Sequence, residues 1–361
     1  MITQLNKVKS RLAILQNIPK YFFSKLEIAT EFNNDLFPAW SISVFRQSEM
    51  RQKFKAVYDK YKLIEAEELR KKVVDAFFYT NQVEELCDGQ PDSAVIKFEE
   101  LPQEIRKEIK DLFSYLYETA IRNSNFERYV NDNVEGMIGR FVQKNKLFLC
   151  PFCGLETLGG YQGESRISLD HWLCRDIFPM ASVNLNNLFP IGNKCNQAPV
   201  KGTKNVLGNQ EAHRRSRVFY PCCQHAGVVT SFHFLCEPDI DGIKEGDWEL
   251  ILEPEREEEQ DIFESWKETM NIESRYKDFF RRDILPMWEE YYRDYVEDPD
   301  SGLVHANTVE ELKRNLTKWK ATFNLKSRPG ARLFRLFIDY LINDASEDYL
   351  DSLCENLKRP A

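Results

Sequence analysis

Two cysteines open the chemistry of this chain. Cys150-Pro-Phe-Cys153-Gly154 places two thiols two residues apart on a tight turn, and the glycine lets the backbone fold back. That spacing aims two thiolates at one cation, and structural zinc usually takes four such ligands in a tetrahedron. Seventeen residues past Cys153 comes Asp170-His171, a carboxylate beside an imidazole, after the short alternation Ile167, Leu169. The alternation predicts a strand with the pair at its end, open to a site. Asn187, Cys195 and Asn196 follow, then Lys201 and Lys204. Asp and Asn supply hard oxygen ligands suited to Mg²⁺ or Mn²⁺. A neutral histidine beside such an ion could take a proton from water, and the ion could stabilise the leaving oxyanion of a phosphodiester.

Elements must position these groups. Residues 141–236 collect glycine, asparagine, cysteine and four of the five histidines. Short strand-like pieces run over 166–170, 187–191 and 228–235, with one more at 248–255. Such loop-rich structure is helped by a metal. Residues 1–140 read as helical: LPQEIRKEIKDLFSYLYETAIRN carries Ile105, Ile109, Leu112, Phe113, Leu116 and Tyr117 at helical spacing. Residues 261–296 return to helix, divided near Pro286. Thr308-Val-Glu-Glu311 predicts a capping box at the start of another helix. The expectation is an α+β chain in three parts: a helical region 1–140, a central module 141–256, and a helical region 257–361.

Composition sets limits. The chain has 361 residues, 42% hydrophobic and 30% charged. No apolar run approaches the ~18 residues of a membrane span, and the N-terminus lacks the apolar block of a signal peptide. A cytoplasmic protein with reduced cysteines is expected, where spaced cysteines read as metal ligands before disulfides. The net charge of −9 argues against a general polyanion binder. Basic residues nevertheless cluster twice: Lys194, Lys201, Lys204, Arg214, Arg215 and Arg217 against the single acid Glu211, and eight without an acid from Lys313 to Arg335. The second run interleaves Lys318 and Lys320 with Trp319 and Phe323. It reads equally as a solvated helix face or as a surface that holds a nucleic-acid backbone and stacks on bases.

The order Cys-x-x-Cys, Asp-His, Asn-Leu-x-Pro, Cys-Asn, then lysines resembles the HNH endonucleases of the ββα-metal fold, over about 60 residues from Cys150 to Lys204. The resemblance implies roles. Asp170 matches the metal-binding aspartate and His171 the general base. Asn187 matches the middle asparagine that holds the loop and orients the histidine. Asn196 stands at the final position as second metal ligand, Asn in place of His, and Lys201 and Lys204 would face phosphates. Zinc-bearing members end in a second Cys-x-x-Cys-Asn, whereas this chain reads Gly192-Asn-Lys-Cys195-Asn196. One zinc ligand is therefore missing. Cys222, Cys223, His225 or Cys174 could replace it, or the zinc could be lost and the fold held by packing; the expectation is zinc completed by Cys222 or Cys223. Pro199 predicts a short or bent helix after Cys195.

A looser resemblance, over Trp266 and Asn271-Ile-Glu-Ser-Arg-Tyr276, is to HNH effectors of bacterial anti-phage systems of the Septu and retron-associated type. It implies a partner ATPase or another defence subunit. DNA is the substrate the family implies, and RNA is an alternative. A degenerate, zinc-stabilised adaptor that binds a partner or nucleic acid without cutting is the rival reading.

Overall fold

The computed structural model describes residues 4–45, 49–89, 96–159, 167–208, 217–223, 227–235 and 248–358. Arg214, Arg215, His213 and His225 lie outside these residues. The architecture is mixed α+β, mainly helical, with two small antiparallel sheets. No helix among the described residues is long and apolar enough to cross a membrane.

The N-terminal helices are amphipathic, and their apolar stripes meet. Gln103–Glu118 buries Ile105, Ile109, Leu112, Phe113 and Leu116, the spacing that identified it. It packs against Glu49–Leu63. Phe22, Phe23, Phe77 and Phe113 fill the same core. Met180 and Val183, from the loop between the first two strands, complete it. The candidate site is thus seated on the helical region.

The first sheet pairs β1 (Ser168–His171) with β2 (Leu188–Ile191), Asp170 opposite Phe189 and His171 opposite Leu188. A single helical turn, Asn193–Asn196, follows β2, and Lys201 N–H returns to Cys195 O at 3.1 Å. The second sheet pairs β3 (Val228–Phe234) with β4 (Trp248–Pro254). Phe232 of β3 stacks on Phe280 at 4.8 Å and meets Phe337 edge-on.

The stretch 261–296, expected as helix divided near Pro286, is divided at an earlier point as well. Gln260–Thr269 and Ile272–Phe279 are separated by Asn271, whose φ of 49° breaks the α conformation. After Pro286 a new helix starts at Trp288. At the next helix, Val309–Thr322, Thr308 Oγ1 accepts from Glu311 N–H at 3.2 Å. The Glu311 carboxylate reaches back to Asn307 N–H at 2.8 Å, one residue earlier than a capping box requires. One apolar core takes in Leu5, Val83, Leu86 and Cys87 and runs from Phe141 through Trp172 and Phe232 to Leu357, so the strand module and the C-terminal helices share it.

Candidate metal centre and the Asp170–His171 pair

The knuckle closes as its spacing predicts. Gly154 N–H bonds Cys150 O at 2.9 Å, and Leu155 N–H reaches Cys153 Sγ at 3.4 Å. Gly154 takes a φ of 67°, a conformation open to glycine. Cys195 arrives from the turn after β2, its Sγ 3.6 Å from that of Cys150. A fourth group joins them. Ligand atoms of Cys150, Cys153, Glu156 and Cys195 all lie within 4.8 Å of one another, and this group could hold a metal ion.

Glu156 was not foreseen. Its carboxylate accepts Lys194 N–H and Cys195 N–H, each at 3.0 Å. It occupies the space of the side chain that Gly192 lacks: a Cβ there would stand 2.2 Å from Glu156 Cδ. Gly192 holds the position where the resemblance requires a cysteine, so the glutamate fills the volume of the missing ligand. Cys222 and Cys223 do not enter this group. Cys222 lies in a cleft with Lys7 and Tyr220, its thiol pushed up to about 12 by burial, and Cys223 faces Glu84.

The C-terminal helices brace the knuckle. Trp266 Nε1–H donates to Phe152 O at 2.9 Å, and the Tyr276 hydroxyl donates to Cys153 O at 3.0 Å. Arg275 places its guanidinium 3.1 Å from Cys195 Sγ and 3.5 Å from Cys153 Sγ. Hydrogen bonds from Cys150 and Cys195, with Arg275 adding its charge, hold the Cys153 thiol well below its ordinary range. A thiolate is the form that ligates metal.

Asp170 and His171 sit at the end of β1, both buried. The loop beyond them is tied by Asn187, which is fully buried. Its Oδ1 accepts Leu173 N–H at 2.6 Å, and its Nδ2 donates to Leu173 O at 3.1 Å and Ala181 O at 3.3 Å. The same loop brings Ser182 O to 3.1 Å from His171 Nε2. A carbonyl only accepts, so Nε2 carries the proton and Nδ1 is the basic atom of the ring. The Tyr117 ring packs edge-on at 4.3 Å. Burial, the largest influence, lowers the imidazole to about 4, so His171 is neutral at pH 7.

Lys201 does not face solvent. Its buried Nζ lies 2.8 Å from Asp170 Oδ2 and donates to His171 O at 2.8 Å. An ammonium with no exposure needs a counter-charge, and Asp170 is that charge. Burial pushes the Asp170 carboxyl up to about 6 against the opposing pull of Lys201. Oδ2 receives no well-angled hydrogen bond, and among the described residues the Asn196 side chain makes none. Asp170 Oδ1 accepts from Lys201 Nζ at 3.1 Å, so a cation at Asp170 must share the carboxylate with Lys201.

Lys204 caps the end of Gln260–Thr269, donating to Glu268 O, Thr269 O and Asn271 Oδ1 at 2.9–3.1 Å. Lys320 pairs with Asp339, Lys318 is exposed, and Trp319 and Phe323 are buried, so those rings are not offered to bases. Comparisons of the chain with protein-family models, with curated proteins and with solved structures return no match.

The buried histidine gives a pH signature. In the unfolded chain it gains a proton below about 6.5, but in the fold only near 4, so its contribution to stability is lost as pH falls through that window. His171→Gln removes this loss. The stability of the variant relative to the parent should rise by roughly 3 kcal/mol between pH 7 and pH 4. Urea melts of both proteins across that range, with chelator present, measure the difference; a constant offset would mean the ring is not desolvated.

Proposed function

We propose that the chain is a metal-dependent HNH-type endonuclease acting on DNA, with a structural zinc at its knuckle. The observation that carries this reading is the pinned His171: a neutral imidazole, its Nε2–H held by Ser182 O, at the end of β1 and next to Asp170. The chain order supports it: β1, a loop tied by Asn187, β2, then one helical turn ending at Asn196. In this reading Nδ1 takes the proton of a water whose oxygen attacks phosphorus, and the P–O3′ bond breaks. Asp170 and Asn196 would hold a Mg²⁺ or Mn²⁺ ion, which when bound supplies charge stabilisation for the leaving oxyanion. Cys150, Cys153, Cys195 and Glu156 would hold zinc, a donor set suited to that ion.

A second reading, a binding module that does not cut, is favoured by the closed site. Tyr117 covers His171, and Lys201 already neutralises Asp170. A restrained nuclease meets the same description, with a partner subunit such as an ATPase, or the substrate itself, opening the site. Incubation of the purified chain with plasmid DNA and with total RNA, under Mg²⁺, Mn²⁺ or EDTA, tests the proposal. Cutting that EDTA stops supports it and identifies the polymer. Inertness toward both, in a protein that binds either one, would favour the module that only binds.

A further inference from the structure

Behind the knuckle lies a cavity of about 280 Å³ that the catalytic reading does not use. Its floor is residues 145–155 and its far wall is residues 325–333, where Gly330 N–H bonds Gly154 O at 3.0 Å. The cavity is mostly apolar, with Leu147 and Leu149 in its wall. Phe148 and Leu325 border it while 63% and 45% exposed.

Among the described residues four cations line it, Lys146, Lys326, Arg328 and Arg332, and no acid does, in a chain with net charge −9. Among the described residues none of the four side chains makes an ion pair or a side-chain hydrogen bond. The Arg328 guanidinium lies over Phe323, 4.1 Å from the ring centroid, and 5.3 Å from the centroid of Phe334. Stacking fixes its position without satisfying its donors. Burial lowers the proton affinity of the half-buried Arg328, a cation held partly out of water without a full counter-charge. Glu255 acts on Arg332, but its carboxylate is engaged by Gly227 N–H at 2.9 Å.

We propose that this cavity binds a nucleoside phosphate. The four cations call for an anionic head of more than one charge, and arginine is the side chain best shaped for phosphate. The apolar wall and exposed Phe148 call for a flat body that stacks, as a base does on an aromatic ring. The volume of about 280 Å³ falls just below the ~300–1,000 Å³ of small-molecule sites, which suits one nucleotide and not a strand. The site does not depend on whether His171 catalyses anything.

Isothermal titration of the full chain carrying His171→Ala, so that nothing is consumed, tests it with ATP, GTP, CTP and UTP without divalent ions. Adenosine, inorganic phosphate and a single-stranded oligonucleotide serve as comparators. At least one nucleotide should bind tenfold or more tightly than phosphate or adenosine. Lys326→Ser with Arg332→Ser, both at exposed positions, should weaken it tenfold or more without lowering the melting temperature. Phe148→Ser should weaken the nucleotide and leave phosphate unchanged. The proposal fails if no nucleotide outbinds phosphate, if the double substitution leaves affinity intact, or if the oligonucleotide binds tenfold tighter than every mononucleotide.

Discussion

His171→Ala is expected to lower metal-dependent cleavage by roughly a hundred- to ten-thousandfold, the usual contribution of a positioned general base. The ring is held from three directions: its backbone pairs with β2, Nε2–H is tied to Ser182 O, and Tyr117 closes one side. Only Nδ1 remains as an acceptor, and a ring lowered to about 4 is unprotonated at neutral pH. The alanine removes that acceptor and leaves Asp170, Lys201 and Asn187 in place. Substrate affinity, measured by filter binding without divalent ions, should therefore change little while the turnover rate falls. A variant that cuts at the parental rate would remove His171 from the chemistry. One that loses cutting and binding together would give it a role in holding the surface instead.

Removal of the zinc proposed for the knuckle is expected to be the largest effect on stability. At a thousandfold excess of free zinc over the dissociation constant, binding contributes about 4 kcal/mol, so strong chelation should lower the melting temperature by several degrees. Mass spectrometry under native conditions should find one zinc per chain. Arg275→Ala should weaken metal affinity by roughly 10- to 100-fold, as loss of an outer partner usually does. The sharper test exchanges the two groups that compete for one volume. Gly192→Cys alone brings a Cβ within 2.2 Å of the Glu156 carboxyl and should disturb the turn. Gly192→Cys together with Glu156→Ala relieves that contact and offers a fourth sulfur, so zinc affinity should recover to the parental level or above it. If Glu156→Ala alone keeps full affinity, the carboxylate is only a partner for Lys194 and Cys195 N–H.

What could be read from the chain divides by sequence distance. The amphipathic helix 103–118 and the knuckle were readable because their signals lie within a few residues, as periodicity or as spacing. So were the strand positions, to within a residue or two. Glu156 was not, although the glycine at 192 was a visible vacancy: nothing local says which distant side chain fills it. The resemblance implied that Lys201 would face phosphates, as the trailing basic residues of that family do. Its burial depends on Asp170, thirty-one residues earlier, supplying the opposite charge. Tyr117 and Arg275 belong to helices whose packing faces could be recognised, but which neighbour each face would meet could not.

The bonds from Trp266, Arg275 and Tyr276 to the knuckle and Cys195 bear on how this segment could travel between proteins. A cassette that carries its own folding information can be cut out and spliced into another chain. Here the sulfur cluster is held on one side by strands and on the other by helices encoded more than a hundred residues later, inside a common apolar interior. A chimera that ended at residue 256 would leave the backbone carbonyls of Phe152 and Cys153 without their donors and strip the interior of Trp266 and Phe337. Leu5, Val83 and Cys87 share that interior with Trp266 and Phe337, so variation in the turn at Cys195 is tied to variation in residues near both ends of the chain.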